Sequence, residues 1–200
     1  MHILHIDTCA LGDVTGSRQS TAAVVAALCP AGTAQVVYRD LAAAPLSHIS
    51  GPLLQVLRQH WDDTIPLNAE LRAEAMLSQS LLRELLDADL IVLAAPLYNY
   101  SIPSVLKAWL DRILHLVQGP DGDALRAGLD GKRLILITTC CSPADQHAQL
   151  QLMELHEQHL ARVFRHIGIG QPECMRIATD GNGKLLMPDT LPTPRLLPCS

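Results

Sequence analysis

Two apolar runs of strand length constrain this chain more than any other feature. Residues 89–95 carry Leu90, Ile91, Val92, Leu93, Ala94 and Ala95 in unbroken succession, and residues 132–139 repeat the pattern through Leu134, Ile135, Leu136 and Ile137. A strand with one face in water alternates apolar and polar residues. A strand covered on both faces does not, and such strands belong to the interior of parallel sheets. Each parallel step needs a crossover, which in practice is a helix, so the intervening segments should be helical.

They are spaced accordingly. Residues 2–7 form a first strand and 17–28 a helix, with Ser17 as N-cap and Pro30 and Gly32 closing it; 36–40 supply a second strand. The stretch 41–66 holds three prolines and is expected to be extended, with one helical turn near 53–59. In 68–86, Leu71, Ala75, Leu82, Leu85 and Leu86 lie on one helical stripe. A further helix covers 103–116 with Pro103 in its first turn, residues 119–123 read as loop, and a long helix covers 145–166. A last strand spans 174–179. The expectation is an α/β fold: a flavodoxin-like, doubly wound, five-stranded parallel sheet of order 2-1-3-4-5 with helices on both faces. Residues 1–180 form the domain. Residues 181–200, with four prolines between Pro188 and Pro198, form a proline-rich C-terminal tail, mobile or clasping a partner.

The composition narrows function by exclusion. A net charge of −5 and a pI near 5.9 offer no basic footprint for nucleic acid or an anionic membrane. No run is long enough to span a membrane and no signal-peptide pattern opens the chain, so a cytoplasmic location is expected. Six cysteines are scattered without a CxxC pair, which indicates neither a zinc site nor a disulfide framework. A small-molecule ligand remains.

Open α/β sheets bind ligands outside the carboxyl ends of their strands, and three such ends carry suitable residues. After strand one, Thr8-Cys9-Ala10-Leu11-Gly12-Asp13-Val14-Thr15-Gly16-Ser17 leads into a helix N-terminus, where free N–H groups suit a phosphate. The loop is neither GxxxxGK[ST] nor GxGxxG. After strand three, Pro96-Leu97-Tyr98-Asn99-Tyr100 can offer apolar contact and backbone hydrogen bonds to a flat ring such as flavin; the plainer reading has Tyr98 and Tyr100 plugging the top of the sheet. After strand four comes Thr139-Cys140-Cys141-Ser142.

With these residues in place the chain resembles the FMN-dependent NADH-azoreductases, quinone reductases on a flavodoxin-like fold. Ala95-Pro96-Leu97-Tyr98-Asn99-Tyr100-Ser101-Ile102-Pro103 looks like their APMYNF-type loop, and Leu106-Lys107-Ala108-Trp109-Leu110-Asp111-Arg112 is similar to their LKxWxD helix. The resemblance implies phosphate contacts at Cys9, Thr15, Gly16 and Ser17, and ring contacts at Leu97, Tyr98, Asn99 and Tyr100. It implies pyrimidine-edge contacts at Thr139, Cys140, Cys141 and Ser142, with FMN as cofactor, NADH or NADPH as hydride donor, and a homodimer. The expected reaction passes two electrons through flavin N5 to a quinone, azo or related conjugated acceptor, with no side chain as obligate acid or base. Where the family has Ser-x-Gly-Gly after strand four, this chain has Thr139-Cys140-Cys141-Ser142, and the closing helix after strand five is replaced by the tail. Two alternatives therefore stand beside the first: a specialised redox tailoring enzyme on the same scaffold, or a non-catalytic flavin-binding dimer.

Other residues read as structural. Cys140-Cys141 is a pair of small apolar side chains, and His156, His159 and His166 lie on a solvated helical face without the partners of a metal site. Lys107, Asp111 and Arg112 are helix-spaced charge partners, and Trp109 belongs to the core or a subunit contact.

Overall fold

The computed structural model describes residues 1–10, 17–28, 34–58, 67–140, 146–178 and 195–196. Its strands are β1 (His2–Asp7), β2 (Gln35–Asp40), β3 (Leu90–Ala94), β4 (Arg133–Cys140), β5 (Glu173–Ala178) and β6 (Arg195–Leu196). The helices are α1 (Ser17–Leu28), α2 (Gly51–Arg58), α3 (Ala69–Asp87), α4 (Ser104–Val117), α5 (Gly122–Leu129) and α6 (Gln146–Ile167). Strands pair in the order β2-β1-β3-β4-β5-β6. The first five are parallel, as expected, and β6 adds a short antiparallel edge at Cys174 and Glu173.

Register and alternation sort every strand residue onto one of two faces. Leu4 pairs with Ile91, Ile91 with Leu134, and Leu136 with Cys174, so these share a face. Against them pack Leu81 and Leu85 of α3, Trp109, Leu110 and Ile113 of α4, and Leu160 and Phe164 of α6. The opposite face carries Ile3, Leu90, Val92, Ile135, Ile137, Met175 and Ile177, packed with Val24 and Val25 of α1. Right-handed crossovers explain the division. The chain steps one way from β1 to β2 and the other way in every later step, which puts α1 on one side and α3, α4 and α6 on the other. Trp109 is fully buried, its ring centroid 6.5 Å from that of Phe164.

Several boundaries differ from expectation for local reasons. The helical turn near 53–59 is a full two-turn helix, α2, with the Ser50 hydroxyl accepting the Leu53 N–H at 3.3 Å. Pro103 caps α4 instead of entering its first turn. Residues 119–123 are not all loop, because Gly122 opens α5, whose Leu129 is buried. A Cβ on Gly122 would lie 2.2 Å from the Val117 carbonyl oxygen, so glycine there permits the close α4–α5 approach. α6 ends at Gly168, whose φ of +108° and whose contact with the Arg126 backbone both exclude a side chain. Pro30, Gly32, most of the tail and Thr179 lie outside the described residues.

Arg112 departs from the picture of helix-spaced surface charges. It is completely buried, donating to the Ser78 hydroxyl at 2.9 Å, to the Ser47 hydroxyl at 2.7 Å, to the Ser47 and Glu74 carbonyls, and to the Glu74 carboxylate. It ties α3 and α4 to the segment after β2. The Lys107–Asp111 pair sits at helical spacing on the exposed side of α4.

Candidate functional site

The carboxyl tips of β1, β3 and β4 are adjacent in the sheet and bonded to one another. The Thr8 hydroxyl donates to the Ala94 carbonyl at 2.8 Å, and both residues are buried. Past the end of β3, the Ala95 N–H donates to Ile137 O and the Leu97 N–H to Thr139 O, at 2.8 and 3.1 Å. Cys9 Sγ lies 3.0 Å from the Tyr98 hydroxyl, joining the first loop to the third.

The loop after β3 then closes on itself. Tyr98 and Ser101 exchange both backbone hydrogen bonds at 2.9 Å, and between them Asn99 and Tyr100 have φ of +46° and +66°. Two successive positive φ values mark the tight turn usually built with Asn-Gly. Asn tolerates this conformation, but tyrosine does not adopt it readily, and such strain concentrates at binding sites. Tyr100 does not plug the sheet: it is 82% exposed.

Among the residues proposed from sequence, the structure thus brings Cys9, Leu97, Tyr98 and Thr139 together, with Asn99 and Tyr100 at the rim. Ser17 is the first residue of α1 and Cys140 the last of β4, and neither side chain lies in the described set. Thr15, Gly16, Cys141 and Ser142 are outside the described residues.

Two polar networks brace these tips, one from each side of the sheet. On the α1 side, Asp7 at the end of β1 is fully buried. It accepts from the Thr21 hydroxyl at 2.9 Å and the Tyr38 hydroxyl at 2.9 Å, with His5 Nε2 at 3.6 Å. Burial, then the bond to Asp7, raises the Tyr38 pKa above its ordinary value. Arg18 pairs with Asp40 at 2.5 Å on the same side.

On the α6 side, Glu157 accepts from Thr138 of β4 at 3.1 Å and from Arg176 of β5 at 2.6 and 2.9 Å. His156 Nε2 lies 2.9 Å from the Ala95 carbonyl. His156 is therefore not on a solvated face; it is 5% exposed, and burial holds its pKa below the usual imidazole value. The sequence signal was present. Met153, His156, Leu160, Phe164 and Ile167 follow one another at three- and four-residue spacing on the buried stripe of α6. His159 and His166 are exposed, as expected.

A cavity of about 360 Å³ lies elsewhere, at the other end of α3 and α4, lined by Val56, Leu57, Leu82, Leu86, Leu116 and Leu125 among others. It is away from the strand tips.

The description of a family with a flavodoxin-like fold matches residues 1–184. This chain belongs to that flavodoxin-like family. It is 35% identical over 191 residues to an FMN-dependent NADH:quinone oxidoreductase of Azospirillum brasilense, spanning 92% of this chain and 88% of the relative. It is 39% identical over 189 residues to FMN-dependent NADH:quinone oxidoreductase 2 of Bradyrhizobium diazoefficiens, spanning 90% and 88%. Among solved structures, the flavodoxin-like chain superposes on an FMN-dependent NADH-azoreductase from Bacillus anthracis, in complex with FMN, with a TM-score of 0.66. The identity is 18%, covering 92% of this chain and 89% of that one, and the likeness shows the shared fold.

The described residues of this flavodoxin-like chain suit FMN. α1 presents its N-terminus beside the β1 tip with no acidic residue in the first turn, as a phosphate requires. The buried carboxylate of Asp7 has hydroxyl donors on both oxygens, Thr21 on one and Tyr38 on the other. The turn after β3 supplies an exposed aromatic and backbone groups at the rim. Among the described residues, no helix is long and apolar enough to cross a membrane, and no group of three or more His, Cys, Asp or Glu side chains could hold a metal ion.

Proposed function

We propose that this chain is an FMN-dependent oxidoreductase that takes two electrons from NADH or NADPH and gives them to a quinone, azo or related conjugated acceptor. The carrying observation is the bonded convergence of the β1, β3 and β4 tips, in a chain of this family whose relatives are named for that activity. FMN, when bound, supplies the two-electron chemistry. The α1 N-terminus with Cys9, Thr15, Gly16 and Ser17 holds the phosphate. Leu97, Tyr98, Asn99 and Tyr100 orient the ring, and Thr139, Cys140, Cys141 and Ser142 meet its pyrimidine edge. Residues 1–180 carry the activity and 181–200 form a tail. The working form is a cytoplasmic homodimer; Tyr100, large, aromatic and exposed beside the site, is a natural surface for a second subunit to cover.

The test is anaerobic. FMN-loaded protein mixed with NADH should lose its flavin absorbance, and a quinone added afterwards should restore it. Absorbance unchanged by NADH or NADPH would leave a flavin binder without turnover; no FMN binding would overturn the reading.

A further inference from the structure

Of the buried polar groups near the strand tips, His156 has no part in the proposed contacts to FMN. It enters from α6, behind the site, and its hydrogen bond reaches Ala95, the residue that leads β3 into the ring-binding loop. A carbonyl only accepts, so Nε2 carries the proton and donates. Nδ1 is then a lone pair, and it is buried with no hydrogen-bond partner among the described residues. A second proton, on Nδ1, would be a buried donor with no acceptor among the described residues; Nε2–H would still donate to Ala95, so that cost is relieved only as the ring leaves its place.

We propose that His156 is a positioning residue for FMN, fixing the root of the loop 95–101 through its bond to the Ala95 carbonyl and releasing that loop when a second proton, on Nδ1, drives the ring out of its buried place. The inference rests on the proposed FMN function and deepens it.

Geometry supports the role. The Ala95 carbonyl lies two residues before Leu97, whose N–H holds the Thr139 carbonyl, so the two hydrogen bonds fix the base of the loop from adjacent sides. Beyond them the chain enters the strained Asn99-Tyr100 turn, which persists only where its base is held. Burial is the largest influence on His156 and holds it neutral; the bond to the Ala95 carbonyl and, on α6 itself, Glu157 favour the protonated form, and His159 opposes it. From the sheet, β3 offers the Ala95 carbonyl, while Thr138 of β4 and Arg176 of β5 are engaged with Glu157. Arg112 of α4 is turned to Glu74 and Ser47. None of these places an acceptor at Nδ1.

The experiment compares wild type with His156→Gln, which can still donate to Ala95 but does not titrate, and His156→Leu, which cannot donate. FMN affinity is read from quenching of FMN fluorescence between about pH 5 and pH 8, spanning the imidazole range. His156→Leu should weaken binding about fivefold to tenfold at the alkaline end, the loss of one hydrogen bond, while His156→Gln stays within about twofold. The FMN phosphate titrates near pH 6 in every sample, so the informative quantity is the difference between curves. Wild type should lose more affinity on acidification than His156→Gln. Superimposed curves, or full affinity in His156→Leu, overturn the proposal. Should His156→Leu fail to fold, wild type against His156→Gln decides. Amide exchange at Leu97 without FMN separates this proposal from the function it rests on. If wild type binds no FMN, the function fails and the proposal with it; if wild type binds FMN while Leu97 exchanges equally in wild type and His156→Leu, the proposal fails alone.

Discussion

The two faces of the sheet reach the same strand tips with different chemistry. On one side three long helices bury Trp109, Phe164 and a broad apolar layer, and α6 adds charged and imidazole clamps: Glu157 on Thr138 and Arg176, His156 on Ala95. On the other side α1 is the helix against the sheet among the described residues, and the hydroxyls of Thr21 of α1 and Tyr38 of β2 converge on the buried Asp7. The difference follows from chain direction. Every step after β2 moves the same way along the sheet, so right-handed crossovers stack their helices on one side. The crowded side carries the buried Glu157, whose bonds to Arg176 and Thr138 a low-dielectric surrounding makes costly to break. On the α1 side lies the helix N-terminus proposed to hold the phosphate.

Breaking the crowded side should cost most. Glu157→Leu strands the Arg176 guanidinium and leaves the Thr138 hydroxyl to Cys174 Sγ at 3.6 Å, and removing one partner of a buried pair costs about 3–5 kcal/mol. Arg176 is 27% exposed, so the urea unfolding midpoint should report the lower end of that range. On the α1 side, Thr21→Val keeps the shape and deletes one donor to Asp7, with an expected loss of about 1–3 kcal/mol by the same measurement. A larger loss from Thr21→Val than from Glu157→Leu would reverse the comparison. Asp7→Asn sharpens it: Tyr38 should then titrate at lower pH, followed by phenolate absorbance, while remaining above the ordinary value because burial still acts.

Acid should weaken the crowded side in two stages. Burial holds His156 and His115 below the ordinary 6.5. As pH falls past that value the unfolded chain takes up protons that the folded chain does not, and stability declines until the folded histidines titrate. His156→Gln should reduce this first decline and leave the part due to His115. The second stage belongs to Glu74, whose pKa the Arg112 hydrogen bond holds below 4.5. Its contribution is present above the unfolded value and is lost as pH falls through the folded one. Melting temperatures across the acid range should show both. The smallest effect is at the surface: Lys107→Ala removes an exposed ion pair at helical spacing and should cost no more than about 0.5 kcal/mol.

The parallel sheet was legible because Leu90 to Ala95 and Leu134 to Ile137 are apolar on both faces, and that pattern has few other solutions. The site was legible for a related reason: once strand order follows, the tips of β1, β3 and β4 must be neighbours. What escaped depended on contacts distant in sequence. Gly122 looks like loop until the Val117 carbonyl is seen where its Cβ would stand. β6 is two residues, below any periodicity, and exists through pairing with β5. His156 was read by its polarity, although its position on the Met153–Ile167 stripe already pointed inward; the carbonyl it bonds sits 61 residues away.

The central claim is that FMN is gripped by the tips of β1, β3 and β4. Amide exchange of the whole protein with and without FMN tests it most directly. The account predicts slowed exchange at the start of α1 and through Leu97 to Ser101 and Thr139 to Cys140. Protection confined instead to Leu57, Leu86 and Leu116, around the cavity at the far end of α3 and α4, would contradict it.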